Sequence, residues 1–259
     1  MGPMEREPPR DHALSVARQT GDELVAGGAK AVVLVGSHAR GDASPNSDLD
    51  LLAVSNESYS WRLDRRDGFL VSVSMRPFAA YLEAFASPEL VCAGVPGWRE
   101  AVILHDPEGL AGSLVQRARQ WTWAPVERRC DAWVAEEITG LSEEVHKLVT
   151  ALGSTRRSTA GVQRSLLAIR LAPILAVHHR ILYDTENLLW DLVGEAMGEE
   201  WREAQFVALG LGGEAFEETC KAALRLYGLA ADDVRHLFDR RQGDVVKRAR
   251  ELAEKGALG

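Results

Sequence analysis

Two carboxylates, Asp48 and Asp50, follow a Gly36-Ser37 pair, with ten residues between the pair and Asp48 and one residue between the aspartates. A glycine lets a phosphate group approach the backbone where a Cβ would stand in the way. A serine at the start of a helix offers a hydroxyl and free N–H groups to phosphate oxygens. Two aspartates a strand repeat apart project from one face and can hold a hard divalent cation such as Mg²⁺. In a two-metal site such ions neutralise phosphate charge and activate an attacking oxygen. The plainer alternative is a loop in which Ser37 caps a helix and the aspartates end a strand exposed to water.

The elements that must position these groups read from the flanking residues. Val32-Val33-Leu34-Val35 is a strand ending at Gly36-Ser37, and Asp42, Ser44, Pro45 and Asn46 mark a polar segment. Leu49, Leu51 and Leu52 open a second strand, on which Leu49 and Leu51 enter the core opposite Asp48 and Asp50. The unit is strand, glycine turn, short helix, turn, strand. No Gly-Lys-Ser/Thr follows Gly36, so it is not a P-loop.

This Gly-Ser, ten-residue, Asp-x-Asp pattern resembles the signature of the DNA polymerase β-like nucleotidyltransferase superfamily. Arg40-Gly41 and Ser47 match the commoner version of that motif. The resemblance implies that Gly36, Ser37, Arg40 and Ser47 serve the nucleotide and that Asp48 and Asp50 hold Mg²⁺, with ATP or GTP as co-substrate. One position departs from it. The superfamily usually supplies a third carboxylate from a later strand, whereas this chain has Ser72 between Val71 and Val73. A hydroxyl is a poorer cation ligand than a carboxylate, which puts the second metal and turnover in question.

Length and composition bound the rest. With 259 residues the chain has room for two domains, each able to bury a core. Charged residues at 26% and hydrophobic residues at 46% describe an ordinary globular protein. A net charge of −8 argues against a nucleic-acid groove and is compatible with a polycationic small molecule. Cys92, Cys130 and Cys220 are odd in number and widely spaced, fitting neither a disulfide framework nor a zinc site. The apolar stretches read as too short to span a bilayer, and the start lacks a signal-peptide core, so a cytoplasmic protein without membrane contact is expected.

In chain order, residues 1–10 read as a loose tail, 11–28 as an amphipathic helix, and 56–58 as a turn. Residues 61–68 read as a polar connection, 69–75 as a third strand, 77–86 as a helix, and 95–98 as part of a Pro/Gly-marked segment. A strand over 101–109 closes with an Asp106-Pro107-Glu108-Gly109 turn. The boundary falls near 121–125. From 128 onward Leu, Ala and Val recur at three- and four-residue spacing, over 132–152, 162–182, 188–197, 201–209, 215–227 and 245–252. Pro173 is expected to kink or split the second of these. The fold class is α+β: a catalytic domain over 1–125, a mixed sheet flanked by helices, followed by an all-α helical bundle over 126–259 for substrate binding and dimerisation.

Glu143 and Lys147 are four apart on one helix face, the spacing of an exposed ion pair. From Glu143 through Val145-His146-Lys147 to His178-His179-Arg180-Ile181-Leu182-Tyr183, the chain also resembles the second domain of the kanamycin nucleotidyltransferases. That resemblance makes Glu143 the general base toward an acceptor hydroxyl and Lys147 a phosphate ligand. It further implies an aminoglycoside-type acceptor and a homodimer. Glu136, Glu137 and Glu144 stay open as the base. His178 and His179 are expected to pack or hydrogen-bond, since adjacent helix residues diverge rather than face one ion. Two rival readings remain: a nucleotidyltransferase acting on a protein or RNA, and a nucleotide-binding module that lost turnover with its third carboxylate.

Overall fold

The computed structural model describes residues 10–56, 60–154 and 156–258, so the expected tail over 1–9 and most of the expected turn at 56–58 lie outside the described residues. The chain divides into two compact units. The first is Met1–Thr122 with Leu182–Thr185, and the second is Trp123–Ile181 with Glu186–Gly259.

The described residues of the first unit form a five-stranded mixed sheet with helices. Helix α1 (Arg10–Ala26) leads into β1 (Ala31–Val35), the short α2 (Gly36–Arg40) and β2 (Leu49–Ser55). Then come β3 (Ser60–Arg66), β4 (Phe69–Pro77), α3 (Phe78–Ala84), α4 (Pro88–Arg99), β5 (Val102–His105) and α5 (Leu110–Gln120). The strand order is β3-β4-β2-β1-β5. Strand β1 runs antiparallel to β2 and β5, β2 runs parallel to β4, and β3 is antiparallel to β4. Central β1 buries Ala31 through Leu34 completely, which explains its unbroken apolar run. On β2 and β4, Leu49, Leu51, Val71 and Val73 face the core with Val16 and Ala17 of α1.

Two expectations for this unit are corrected. Residues 61–68 are not a polar connection: β3 is an edge strand whose Trp61 and Leu63 stay exposed, so no face is buried and no alternation marks it. The Pro/Gly-marked segment at 95–98 belongs to helix α4, which starts with Pro88 in its first turn and buries Val91, Cys92, Val95 and Trp98 along one side. Pro96 is accommodated inside it. The expected Asp106–Gly109 turn is present and leads into helix α5, whose Ala111 and Gly112 N–H groups donate to the Asp106 carboxylate at 3.0 and 2.8 Å.

The described part of the second unit is helical. It comprises α6 (Glu127–Leu152), α7 (Arg157–His178), α8 (Leu189–Met197), α9 (Glu199–Ala208), α10 (Phe216–Asp233) and α11 (Arg240–Leu258), with single 3₁₀ turns before α8 and after α10. Pro173 does not split α7. Buried Leu171, Ala172, Ile174 and Leu175 around it hold the helix together, so packing outweighs the lost backbone hydrogen bond. At 22 residues α7 is long and apolar enough to cross a membrane by length and composition, contrary to the expectation that no stretch was. Over half of its most apolar window is buried inside the protein, as in the central helix of a bundle. Tyr227 of α10 is fully buried, and its hydroxyl lies 2.7 Å from Ser142 Oγ on α6. All three cysteines are buried.

Candidate active site

The Gly36 turn is built where β1 ends. Gly36 adopts φ +73°, a left-handed conformation, and a Cβ on it would sit 2.9 Å from Asp50 Oδ2. Only glycine satisfies both conditions without displacing the carboxylate. Ser37 lies in the first turn of α2, and that helix closes at Gly41, φ +88°, whose N–H bonds the Ser37 carbonyl at 2.8 Å. Antiparallel pairing sets Val35 opposite Asp50, which brings the Gly36 turn and the aspartate together.

Asp50 stands half-buried on β2 between buried Leu49 and Leu51, with Asp48 just before the strand. Burial raises the Asp50 pKa above its ordinary value, and the Asp48 charge raises it further. A hydrogen bond from Ser72 and the nearby His38 oppose that shift. Ser72 is the register partner of Asp50 across the parallel β2–β4 pair, so both side chains leave the same face of the sheet. The serine thus stands beside the aspartates, away from the Val71–Val73 core face.

Arg40 and Ser47 are both engaged in hydrogen bonds, Ser47 within the loop and Arg40 both there and beyond it. Arg40 pairs with Asp42 at 3.1 Å and donates through Nη1 to the Asp184 carbonyl at 3.0 Å. Ser47 Oγ accepts from the Ser44 N–H at 2.8 Å and lies 3.1 Å from Ser44 Oγ. His38 Nε2 lies 3.4 Å from the Ser47 carbonyl. These bonds fix the path of the loop that delivers Asp48, a positioning role that Asp184 and His38 share and the sequence did not signal.

Glu143 and Lys147 lie in the second unit, on α6. Their charges meet at 2.9 Å, Glu143 is 71% exposed, and Glu144 approaches the same ammonium at 3.3 Å. The Glu143 hydrogen bond, then that of Glu144, raises the Lys147 pKa. Among the other base candidates, Glu137 pairs with Arg170 at 2.8 Å, and Glu136 accepts from Gln242 at 3.1 Å.

His178 and His179 do not diverge. Helix α7 ends at His178, His179 is its cap, and Arg180 takes a positive φ of 58°, so the two rings lie 4.9 Å apart in an edge contact. Both approach Asp233 Oδ2, at 3.5 Å and 2.9 Å. Burial lowers the His178 pKa, with Asp233 opposing.

The N-terminal geometry can be set against known proteins. Residues 20–77 match the nucleotidyltransferase domain family. The matched stretch runs from α1 to the end of β4 and contains Gly36, Ser37, Arg40, Ser47, Asp48, Asp50 and Ser72. Nucleotidyl transfer is the general chemistry that a nucleotidyltransferase domain supports. Among solved structures, a nucleotidyltransferase-like protein from Exiguobacterium sibiricum 255-15 is similar at 13% identity, covering 93% of this chain and 77% of that one with a TM-score of 0.49. No curated protein matches the sequence.

Proposed function

We propose that the protein moves a nucleoside monophosphate from ATP or GTP to a hydroxyl of a small molecule, in an Mg²⁺-dependent reaction. The acceptor class named by the resemblance is the aminoglycoside antibiotics. The observation that carries this reading is the Gly36–Asp50 approach: a left-handed glycine leaves room for phosphate beside a carboxylate that burial and a second aspartate have destabilised. Asp48, Asp50 and the Ser72 hydroxyl are hard oxygen donors, and a divalent cation would relieve the repulsion between the two carboxylates, so the set fits Mg²⁺. When bound, Mg²⁺ supplies neutralisation of the triphosphate charge.

The remaining chemistry falls to the chain. Gly36 and Ser37 receive phosphate oxygens and hold the triphosphate for in-line attack. The acceptor oxygen bonds to the α-phosphorus as the bond from that phosphorus to the bridging oxygen breaks, and pyrophosphate leaves with that oxygen. The hydroxyl proton goes to Glu143, and Lys147 balances phosphate charge. These last two roles and a homodimeric state rest on the resemblance of α6 and α7 to kanamycin nucleotidyltransferases.

A second reading, a nucleotide-binding module without turnover, is favoured by one observation: the β4 register partner of Asp50 is Ser72, a neutral hydroxyl rather than a carboxylate. Pyrophosphate release with Mg·ATP and Mg·GTP across aminoglycosides, lincosamides and unrelated alcohols separates the two. Release that needs an acceptor and is lost in Asp50→Asn supports transfer. Nucleotide binding with no release for any acceptor supports the module.

A further inference from the structure

The ends of two long helices in the second unit bring three metal-ligating side chains together. One ligand atom from each of His178, His179 and Asp233 lies within 4.8 Å of the others. His178 closes α7, His179 follows it, and Asp233 closes α10, so the group is set by well-packed helices rather than by a surface loop. We propose that His178, His179 and Asp233 form a binding site for a divalent transition metal of the zinc class, separate in chemistry and in chain segment from Asp48 and Asp50.

Distances agree with that occupant. Bonds of about 2.0–2.1 Å to nitrogen and oxygen in a tetrahedral site set ligand atoms about 3.3 Å apart. Asp233 Oδ2 lies 3.5 Å from His178 Nε2 and 2.9 Å from His179 Nε2, either side of that value. Despite this proximity Asp233 Oδ2 is buried with no hydrogen-bond partner among the described residues. Buried polar atoms left in this state call for an ion or a water. Met197 Sδ sits 3.2 Å from His179 Nε2, and the His236 ring lies 5.6 Å from that of His178. A thioether and a third imidazole at the rim favour a softer cation over Mg²⁺ or Ca²⁺, as do the two imidazole ligands themselves.

Electrostatics point the same way. Helices α7 and α10 both present their C-terminal ends, each carrying partial negative charge, to this place. Three protein ligands leave a coordination position open for water or a small ligand. A bound ion would also tie the end of α7 to the end of α10, so its binding should be visible in stability. The inference is independent of the transfer reaction proposed for the first unit.

The test is titration of Zn²⁺ into chelator-treated full-length protein, with excess Mg²⁺ present to occupy hard oxygen sites. Wild type should bind one Zn²⁺ and gain thermal stability from it. His179→Ala and Asp233→Asn should each weaken binding at least tenfold and remove the thermal gain, while His146→Ala, an exposed histidine on α6, should change neither. Co²⁺ added to wild type should give the intense visible absorption of a four-coordinate site, a readout that needs no variant to fold. Absence of a one-to-one Zn²⁺ complex, or wild-type affinity in both ligand variants, would overturn the proposal. So would weak six-coordinate Co²⁺ absorption.

Discussion

Ser72 and Asp50 stand as register partners on parallel strands, hydrogen-bonded through their side chains on the face that carries the Gly36 turn. A neutral hydroxyl therefore supports the aspartate where a third anion would repel it. Ser72→Glu should tighten Mg²⁺ binding and raise activity at limiting metal, because an anionic oxygen attracts the cation more strongly. Without metal the same change should lower the thermal midpoint and weaken nucleotide binding. Calorimetric titration of Mg²⁺ and of a non-hydrolysable nucleotide checks both halves; unchanged metal affinity would remove Ser72 from the site.

Asp50 gives a pH signature whose sign is fixed. Its folded-state pKa is raised above the ordinary 3.8, so the folded protein holds this proton more tightly than the unfolded chain does. The associated stability is present in full below that ordinary value and is lost as pH rises through the raised one. Asp50→Asn should accordingly raise the metal-free midpoint at neutral pH, with the gain shrinking toward acid. Activity should fall about a hundredfold or more, as when one preorganised electrostatic group is removed. Wild-type turnover at saturating Mg²⁺ would refute the metal role.

Gly36→Ala combines a strained φ of +73° with a Cβ 2.9 Å from Asp50 Oδ2. A cost of about 1–3 kcal/mol in stability is expected. Displacement of the carboxylate should also weaken Mg²⁺ binding. Denaturant unfolding and Mg²⁺ titration on one preparation would show both, and a loss of stability with intact metal affinity would separate strain from site damage.

Glu143→Gln should lower kcat by about a hundredfold to ten-thousandfold with little effect on nucleotide binding if Glu143 accepts the proton. Lys147→Ala should weaken nucleotide binding and turnover together. A crippled Glu137→Gln, with Glu143→Gln active, would move the base along α6.

Tyr227→Phe should destabilise the second unit by about 1–3 kcal/mol, since Ser142, 3% exposed, would lose its hydroxyl partner. Burial pushes the Tyr227 pKa up to about 12, so the wild-type phenol should resist alkaline titration until the fold opens. An absorbance titration showing Tyr227 ionising at the ordinary value of a phenol would contradict that burial.

The elements around the Gly36 turn were legible because each carried a strong local pattern. Fully apolar β1, the Leu49–Asp50–Leu51 alternation and the Val71–Ser72–Val73 alternation each announce which face is buried. Strand β3 carried none, being an edge exposed on both sides. Helix α4 was hidden by Pro88, Gly94, Pro96 and Gly97, residues that punctuate loops, although its buried side packs at helical spacing. The convergence of His178 and His179 depended on the helix stopping between them and on Asp233, distant in sequence. Spacing rules for an unbroken helix could not foresee that. Nor could they foresee that Arg40 reaches the Asp184 carbonyl, a partner 144 residues away.

The return of Leu182–Thr185 to the first unit has a practical consequence for anyone dissecting the protein. A fragment stopped at residue 122 would lack the Asp184 carbonyl that accepts Arg40 and the Tyr183 N–H that donates to the Cys92 carbonyl at 3.0 Å. No single scission of the chain liberates either unit whole. Truncation at residue 122 is thus the wrong tool for isolating the first unit; an engineered bridge replacing 123–181 is the route by which its fold could be kept whole, without the Glu143 and Lys147 proposed for transfer.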